Sequence, residues 1–261
     1  MDSPPTSQND DILRRLEVLT KAIEKPSLQV IHKEMCSRDP IYFINHFAWT
    51  YDPRLLAKER RADVPFILYP YQEFLIKEWA DNIRQGEDFL ILKSRDMGAS
   101  WMIITLFVWF WMFVPGANFH IGSRKQEEVD NAQTDPAKTL FGKIRYLLEK
   151  LPPWMLAKKD FNSKMLAISN LQNGNLISGE SANSAFGRGA RATAVLYDEL
   201  AFWETDEAAW ASAGQTANCR IALSTPYGES NKYAKLALDP KNTKIECPGA
   251  AELYEQKMGS E

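Results

Sequence analysis

Between Met97 and Ser123 no residue carries a full charge, and Trp101 to Val114 is almost wholly apolar: WMIITLFVWFWMFV. A helix that is apolar all round has no face for water, so it must cross a bilayer or run through the middle of a core. A crossing takes roughly 20 apolar residues, and Pro115-Gly116 end this run too early. The sequence therefore predicts a buried helix from Ala99 to Val114 and a buried strand from Asn118 to Gly122. The rest of the chain can supply such a core: of 261 residues, 45% are hydrophobic and 25% charged, an ordinary globular mix. That balance excludes a disordered, collagenous or disulfide-stapled chain.

Around this helix the pattern alternates. Ile12, Leu16, Leu19 and Ile23, then Leu28 and Ile31, predict short amphipathic helices broken at Pro26. Asp39 to Arg54 is rich in aromatics and reads as a packing element followed by a loop. Tyr71 to Ile83 reads as a helix, Phe89 to Lys93 as a buried strand, and Lys125 to Lys150 as a long charged helical region. Lys164 to Ser169 and Leu176 to Gly179 flank Asn173-Gly174, a hairpin signal. Ala194 to Tyr197 and Arg220 to Ser224 read as strands, with a helix over Asp206 to Thr216 between them. Strands alternating with helices predict an α/β layer on a mostly parallel sheet. After Pro226 the chain turns polar.

Cys36, Cys219 and Cys247 are far apart, and His32, His46 and His120 are scattered, so no zinc site is readable and a reducing cytosol suits the chain. Met1 to Asp11 is polar, unlike a secretory leader. The net charge of −3 gives no global basic field for a nucleic acid. The clusters Arg14-Arg15, Lys58 to Arg61 and Lys158-Lys159 read as solvated faces.

The chemistry concentrates in the segment Leu92-Lys-Ser-Arg-Asp-Met-Gly-Ala-Ser-Trp101, between an apolar strand and a helix start. Backbone N–H groups there, with the positive end of the helix dipole, favour phosphate oxygens. Gly98 permits close approach, and the Ser100 hydroxyl is placed to ligate Mg²⁺. Measured against G-x-x-x-x-G-K-S/T, the first glycine is Lys93 and the usual lysine is Ala99. Lys93 and Arg95 are both candidates for the missing charge, one a point charge and the other a bidentate fork. Later, Ala194-Val-Leu-Tyr-Asp-Glu199 is a strand ending in paired acids. Asp198 is placed to hold Mg²⁺ and Glu199 to polarise the attacking water. A third strand exit, Ile221 to Pro226, carries Ser224 and Thr225 where loss of a γ-phosphate would be sensed.

Over roughly residues 40–235 these ordered segments resemble the large terminase subunit of tailed bacteriophages, the motor that packages DNA into the procapsid. Lys93 to Ser100, including Ser94 and Ala99, looks like that family's deviant phosphate loop. Val195 to Glu199 looks like its Walker B segment, and Leu223 to Pro226 like its coupling motif. Gln72, after Tyr69-Pro-Tyr71, matches an adenine-reading glutamine. Arg188-Gly189 is similar to a loop that gives an arginine finger to a neighbouring subunit, with Arg191 close by. The resemblance implies a three-layer P-loop ATPase of the additional-strand, RecA-like type. Its expected divisions are a helical N-terminal segment over 1–55, an ATPase core over 56–235, and a tail or linker over 236–261.

The implied activity is Mg²⁺-dependent ATP hydrolysis driving double-stranded DNA translocation, with Glu199, Arg95 and Arg188 catalytic. Gln72, Lys93, Ser94, Arg95, Gly98, Ala99, Ser100 and Thr225 are expected around ATP, and Ser100 and Asp198 around Mg²⁺. The implied partners are double-stranded DNA, a portal protein, the small terminase subunit and further copies of the chain in a ring on the procapsid, with a monomer expected in isolation. The implied setting is the host cytoplasm, transiently at the portal, away from membrane. No nuclease constellation follows Pro226, so no nuclease activity is expected of this chain. Rival readings are a helicase-like NTPase and a non-hydrolysing packaging scaffold with a decayed phosphate loop.

Overall fold

The computed structural model describes residues 8–94, 97–131 and 137–247. The chain enters through three helices, α1 (Gln8–Glu24), α2 (Pro26–Arg38) and α3 (Pro40–Phe47). Pro26 and Pro40 each occupy the first turn of the helix they open, where a missing N–H costs nothing. The expected face of α1 is only partly the buried one: Ile12 and Leu19 are half-buried, Leu19 against the core. Leu16 and Ile23 are 52% and 71% exposed, whereas Arg15 and Ala22 are buried. The reason is Arg15, which was expected on a solvated face. Its guanidinium donates to the carbonyls of Ala48, Ile44, Asn45 and Phe66, and so docks α1 on the C-terminal end of α3.

Next, β1 (Trp49–Tyr51) pairs antiparallel with β2 (Asp63–Pro65), so the division expected at residue 55 falls inside this small sheet. The elements that follow are α4 (Pro70–Gln85), β3 (Phe89–Leu92), α5 (Ala99–Phe113), β4 (Phe119–Ser123), α6 (Gln126–Val129) and α7 (Leu140–Lys150). The remainder comprises β5 (Phe161–Lys164), β6 (Ala167–Asn170), β7 (Leu176–Ser181), β8 (Ala192–Asp198), α8 (Asp206–Ser212), β9 (Ala217–Ser224), α9 (Lys232–Leu238) and β10 (Thr243–Glu246). The main sheet runs β10-β3-β9-β8-β4-β7-β6-β5. It is parallel from β10 to β7 and antiparallel over the β7-β6-β5 meander. Strand β9 lies between β3 and β8, so the additional strand is the one that ends at Ser224.

Alternation along the central strands feeds two cores. Phe89, Ile91, Phe119, Ile121, Leu196, Ile221 and Leu223 face α3, α4, α5 and α7. Leu90, Leu92, Val195, Tyr197 and Ala222 face α8, α9 and the segment around Leu200. Helices on both faces of a parallel sheet make the three layers.

The apolar run is the helix at the centre of the larger core. Met102 to Trp111 of α5 are all buried. Its two buried tryptophan N–H groups are satisfied, Trp109 by the Cys36 carbonyl at 2.6 Å and Trp111 by the Asn175 carbonyl at 3.0 Å. Asn175, from the expected hairpin turn, also closes the end of α5. Its amide donates to the carbonyls of Trp111 and Val114, and its Oδ1 accepts from the Gly116 N–H. Among the described residues, no helix is long and apolar enough to cross a membrane.

Three expectations meet a different outcome. The strand expected from Lys164 divides into β5 and β6 through Met165-Leu166, and Leu166 takes the left-handed conformation (φ 56°) without the Gly or Asn that usually marks such a turn. The region Lys125 to Lys150 is two helices, α6 and α7, rather than one. Beyond residue 235, where a tail or linker was expected, α9 continues to Leu238. There β10 pairs with β3 along its whole length and forms the sheet's edge.

Candidate phosphate-binding site

The C-terminal ends of β3, β8 and β9 lie side by side, and in open parallel sheets that edge is where ligands sit. Strand β3 delivers Lys93 and Ser94, and the chain re-enters helix α5 through Gly98 at φ 73°, a left-handed conformation glycine adopts freely. Ala99 and Ser100 are the first residues of α5. A cavity of about 180 Å³ lies along this turn, lined by Lys93, Ser94, Met97, Gly98, Ala99, Ser100, Trp101 and Lys143. Arg95 lies outside the described residues. Gln72, buried in α4, uses its Oε1 to accept the Tyr69 N–H at the helix start. Its Nε2 faces Gly98, 3.9 Å from where a Cβ would stand.

Strand β8 ends in the acids. Asp198 Oδ1 is shut off from solvent and has no hydrogen-bond partner among the described residues. Burial pushes its carboxyl up to about 6, against the pull of the nearby Lys93 charge. Glu199 then leaves the strand in the left-handed region (φ 55°), a strained conformation for a side-chain-bearing residue. Its N–H donates to the Leu223 carbonyl at 2.7 Å and its carbonyl accepts from Phe202 N at 2.9 Å, which hold that turn. The strained turn swings the carboxylate to Lys93, whose Nζ donates to Oε1 at 2.9 Å. Burial lowers the Lys93 pKa, but Asp198 and Glu199 outweigh it and hold the ammonium above its ordinary value.

Strand β9 completes the cluster. Ser224 Oγ accepts the Ala201 N–H and lies 3.4 Å from Glu199 Oε2, while its carbonyl accepts the Lys93 N–H. Beneath, the buried Tyr233 hydroxyl lies 3.0 Å from the Ile91 carbonyl and 2.9 Å from that of Ser224, tying α9 to β3 and β9. A second cavity of about 300 Å³ is lined by Asp198, Glu199, Thr225, Ser123, Arg124, Lys138 and Lys143, among others. Lys143 lines both cavities.

So Lys93, Ser94, Gly98, Ala99, Ser100, Asp198, Glu199 and Thr225 share one sheet edge, with Gln72 against the turn. Arg188 does not join them. It is exposed, next to Gly187, whose carbonyl accepts from Thr216 at the start of β9, the opposite edge of the sheet. Its loop is packed firmly: Glu180 accepts the Gly187 N–H at 2.6 Å and His120 Nε2 lies 3.1 Å from Glu180. The Phe186 ring fills the space over Gly122, where a Cβ would fall 2.2 Å away. Two site residues escaped the sequence reading. Tyr233 sits in a stretch that reads as polar tail, whereas Lys143 had a signal, a lysine among Leu140, Phe141, Ile144, Leu147 and Leu148 on one helix face.

Fold and site together define a three-layer α/β protein in which the start of α5 faces paired carboxylates across one sheet edge. No protein-family model matches the chain, and no curated protein matches its sequence. Among solved structures it is similar to the large terminase ATPase domain of Thermus phage P74-26, at 15% identity and a TM-score of 0.44, over 65% of this chain and 78% of that one. It is also similar to the large terminase of a second thermophilic bacteriophage in complex with ADP, at 10% identity and a TM-score of 0.49, over 69% of this chain and 45% of that one. That second terminase in complex with ATP-gamma-S gives 13% identity and a TM-score of 0.47, over 68% and 44% of the two chains.

Proposed function

We propose that this protein is a Mg²⁺-dependent ATP hydrolase, the ATPase part of a viral DNA-packaging motor. The observation that carries the hydrolase reading is the Lys93–Glu199 contact at 2.9 Å, which joins the phosphate-loop strand to the paired acids. The donor set fits a hard cation: Asp198 has a buried, unpartnered oxygen, and Ser100 supplies a hydroxyl at the helix start. Asp198 and Ser100 would hold Mg²⁺, which would supply charge neutralisation at the phosphates.

The remaining chemistry belongs to the chain. The first-turn N–H groups of α5 bind phosphate oxygens, with Gly98 allowing close approach. An incoming phosphate competes for Lys93 and releases Glu199. Glu199 then orients the attacking water and takes its proton, while Ser224 and Thr225 register the phosphate's departure. Gln72 fixes the base side. That role comes from the resemblance to an adenine-reading glutamine, and it would fall to Nε2, since Oε1 already accepts the Tyr69 N–H. Arg188, exposed at the far edge, serves the site of a neighbouring copy in a ring around double-stranded DNA, with the portal and small terminase subunit as further partners.

Steady-state ATP hydrolysis over a protein-concentration series tests this reading. Turnover per chain is expected to rise with concentration, and Arg188→Ala to bind ATP normally but hydrolyse it at least tenfold more slowly. Turnover independent of concentration and unchanged in Arg188→Ala would remove the shared-site motor. Absence of ATP binding by the wild type would favour the scaffold with a decayed loop.

A further inference from the structure

The segment 182–191 leaves β7 beside Ser123, at the C-terminal edge of the sheet, and crosses one sheet face to reach the start of β8. Asn183 closes its first turn, with Nδ2 donating to the Ser181 carbonyl and Oδ1 accepting the Ala185 N–H. Phe186 and Gly187 are buried, and Arg188 directly after them is exposed, with no hydrogen-bond or ion-pair partner among the described residues. The loop is thus anchored through its buried residues, and the guanidinium is uncommitted.

The anchor is the Phe186 ring. It meets Trp203 edge-on at 4.9 Å between ring centres, and Tyr197 and His120 each at 5.0 Å. Two of these three belong to the acid turn. Tyr197 immediately precedes Asp198, and the Trp203 indole N–H donates to the Asp198 carbonyl at 3.0 Å. The third, His120, lies within hydrogen-bond reach of Ser178 and Glu180, and Glu180 accepts the Gly187 N–H. Edge-to-face contacts between buried rings add to the burial itself, and close packing holds each ring in one rotamer. A packed path therefore runs from the main chain of Asp198 through Trp203 to Phe186, two residues before Arg188. Phe186 and Trp203 line neither of the two site cavities.

We propose that Phe186 is a positioning residue for Arg188: through Trp203 and Tyr197 it fixes the loop that presents this arginine to a neighbouring copy against the chain's own acid turn. The proposal rests on the trans-acting arginine of the reading above. An arginine acting on another chain's phosphates needs a fixed root, because its long side chain is rich in rotamers and a small displacement carries the guanidinium away from the reacting atoms.

The test uses mixtures of two whole-chain variants at a concentration where the chain assembles. Arg188→Ala keeps its acids and lacks the arginine, whereas Glu199→Gln keeps the arginine and lacks the water-activating carboxylate. In the mixture a Glu199→Gln chain serves the site of an Arg188→Ala neighbour, so ATP turnover should exceed that of either variant alone. Phe186→Leu is then added to one partner at a time. In the arginine-donating Glu199→Gln chain it should lower the mixed turnover by roughly ten- to a hundredfold, the scale of a misplacement of about 1 Å. In the Arg188→Ala chain, which has no arginine to place, it should leave the mixed turnover nearly unchanged. Equal losses from both placements would mark a merely structural role and overturn the proposal. No loss in the arginine-donating chain would overturn it too. Should Phe186→Leu prove insoluble, Phe186→Met, which keeps more of the buried volume, is read by the same asymmetry. If the starting mixture turns over no more ATP than its components, the trans-acting arginine itself falls and takes the positioning role with it, a result seen before Phe186 is touched.

Discussion

Asp198→Asn should stabilise the protein while disabling it, and the size of the effect follows from burial. In the folded chain the Asp198 carboxyl is pushed up to about 6, against an ordinary value of 3.8. The folded state therefore holds this proton more tightly than the unfolded state. Stability contributed by the protonated group is fully present below pH 3.8 and is lost as pH rises through about 6. At ~1.4 kcal/mol for each pH unit, the whole penalty is ~3 kcal/mol above neutrality. Asparagine carries no such charge. The variant should be more stable than wild type by about 3 kcal/mol at pH 8, about half that at pH 5, and not at all near pH 3. For a chain of this size each kcal/mol moves the melting temperature by roughly 2–4 °C. Urea denaturation at the three pH values measures the gap directly. A variant less stable than wild type at pH 8, or a gap that does not shrink on acidification, would refute the argument. On the proposed reading of Asp198 as a cation ligand, Mg²⁺ should raise the melting temperature of wild type and leave that of Asp198→Asn unchanged.

Other consequences concern the frame around the site. Gly98→Ala meets no atom closer than 3.9 Å, so its cost is the left-handed backbone alone, about 1–2 kcal/mol by urea denaturation, and phosphate affinity should fall as the turn relaxes. Arg15→Met removes the donor shared by four carbonyls and should lower stability by about 3 kcal/mol, with hydrogen exchange in α1 rising before that of the sheet.

How much of this was legible follows from the kind of signal each element carries. The apolar run predicted α5, and FLIL, AVLY and IALS predicted β3, β8 and β9, because strands buried on both faces read as unbroken apolar runs. Site residues attached to those strands were therefore visible in sequence. Strand β10, Thr-Lys-Ile-Glu, is short, polar and at the edge, and its place depends on backbone pairing with β3 that no side-chain pattern announces. The Met165-Leu166 turn lacks turn residues for the same practical reason: the meander around it imposes the left-handed conformation. Arg15 reads as a solvated charge because its partners are main-chain carbonyls, which composition cannot reveal. Lys143 and Tyr233 come to the site from helices that fold back over it, and only the three-dimensional path shows their position.

The central claim is that the turn after β3 and the acids after β8 form one phosphate-hydrolysing site. Comparing wild type with Glu199→Gln for both ATP affinity and Mg²⁺-dependent turnover tests it most directly. The account predicts that Glu199→Gln binds ATP as tightly as wild type or tighter, since Lys93 is released from a carboxylate, and that turnover falls by at least a hundredfold. Turnover retained in Glu199→Gln would contradict the assignment of the water-activating group, and loss of ATP binding there would contradict the competition between phosphate and Glu199 for Lys93.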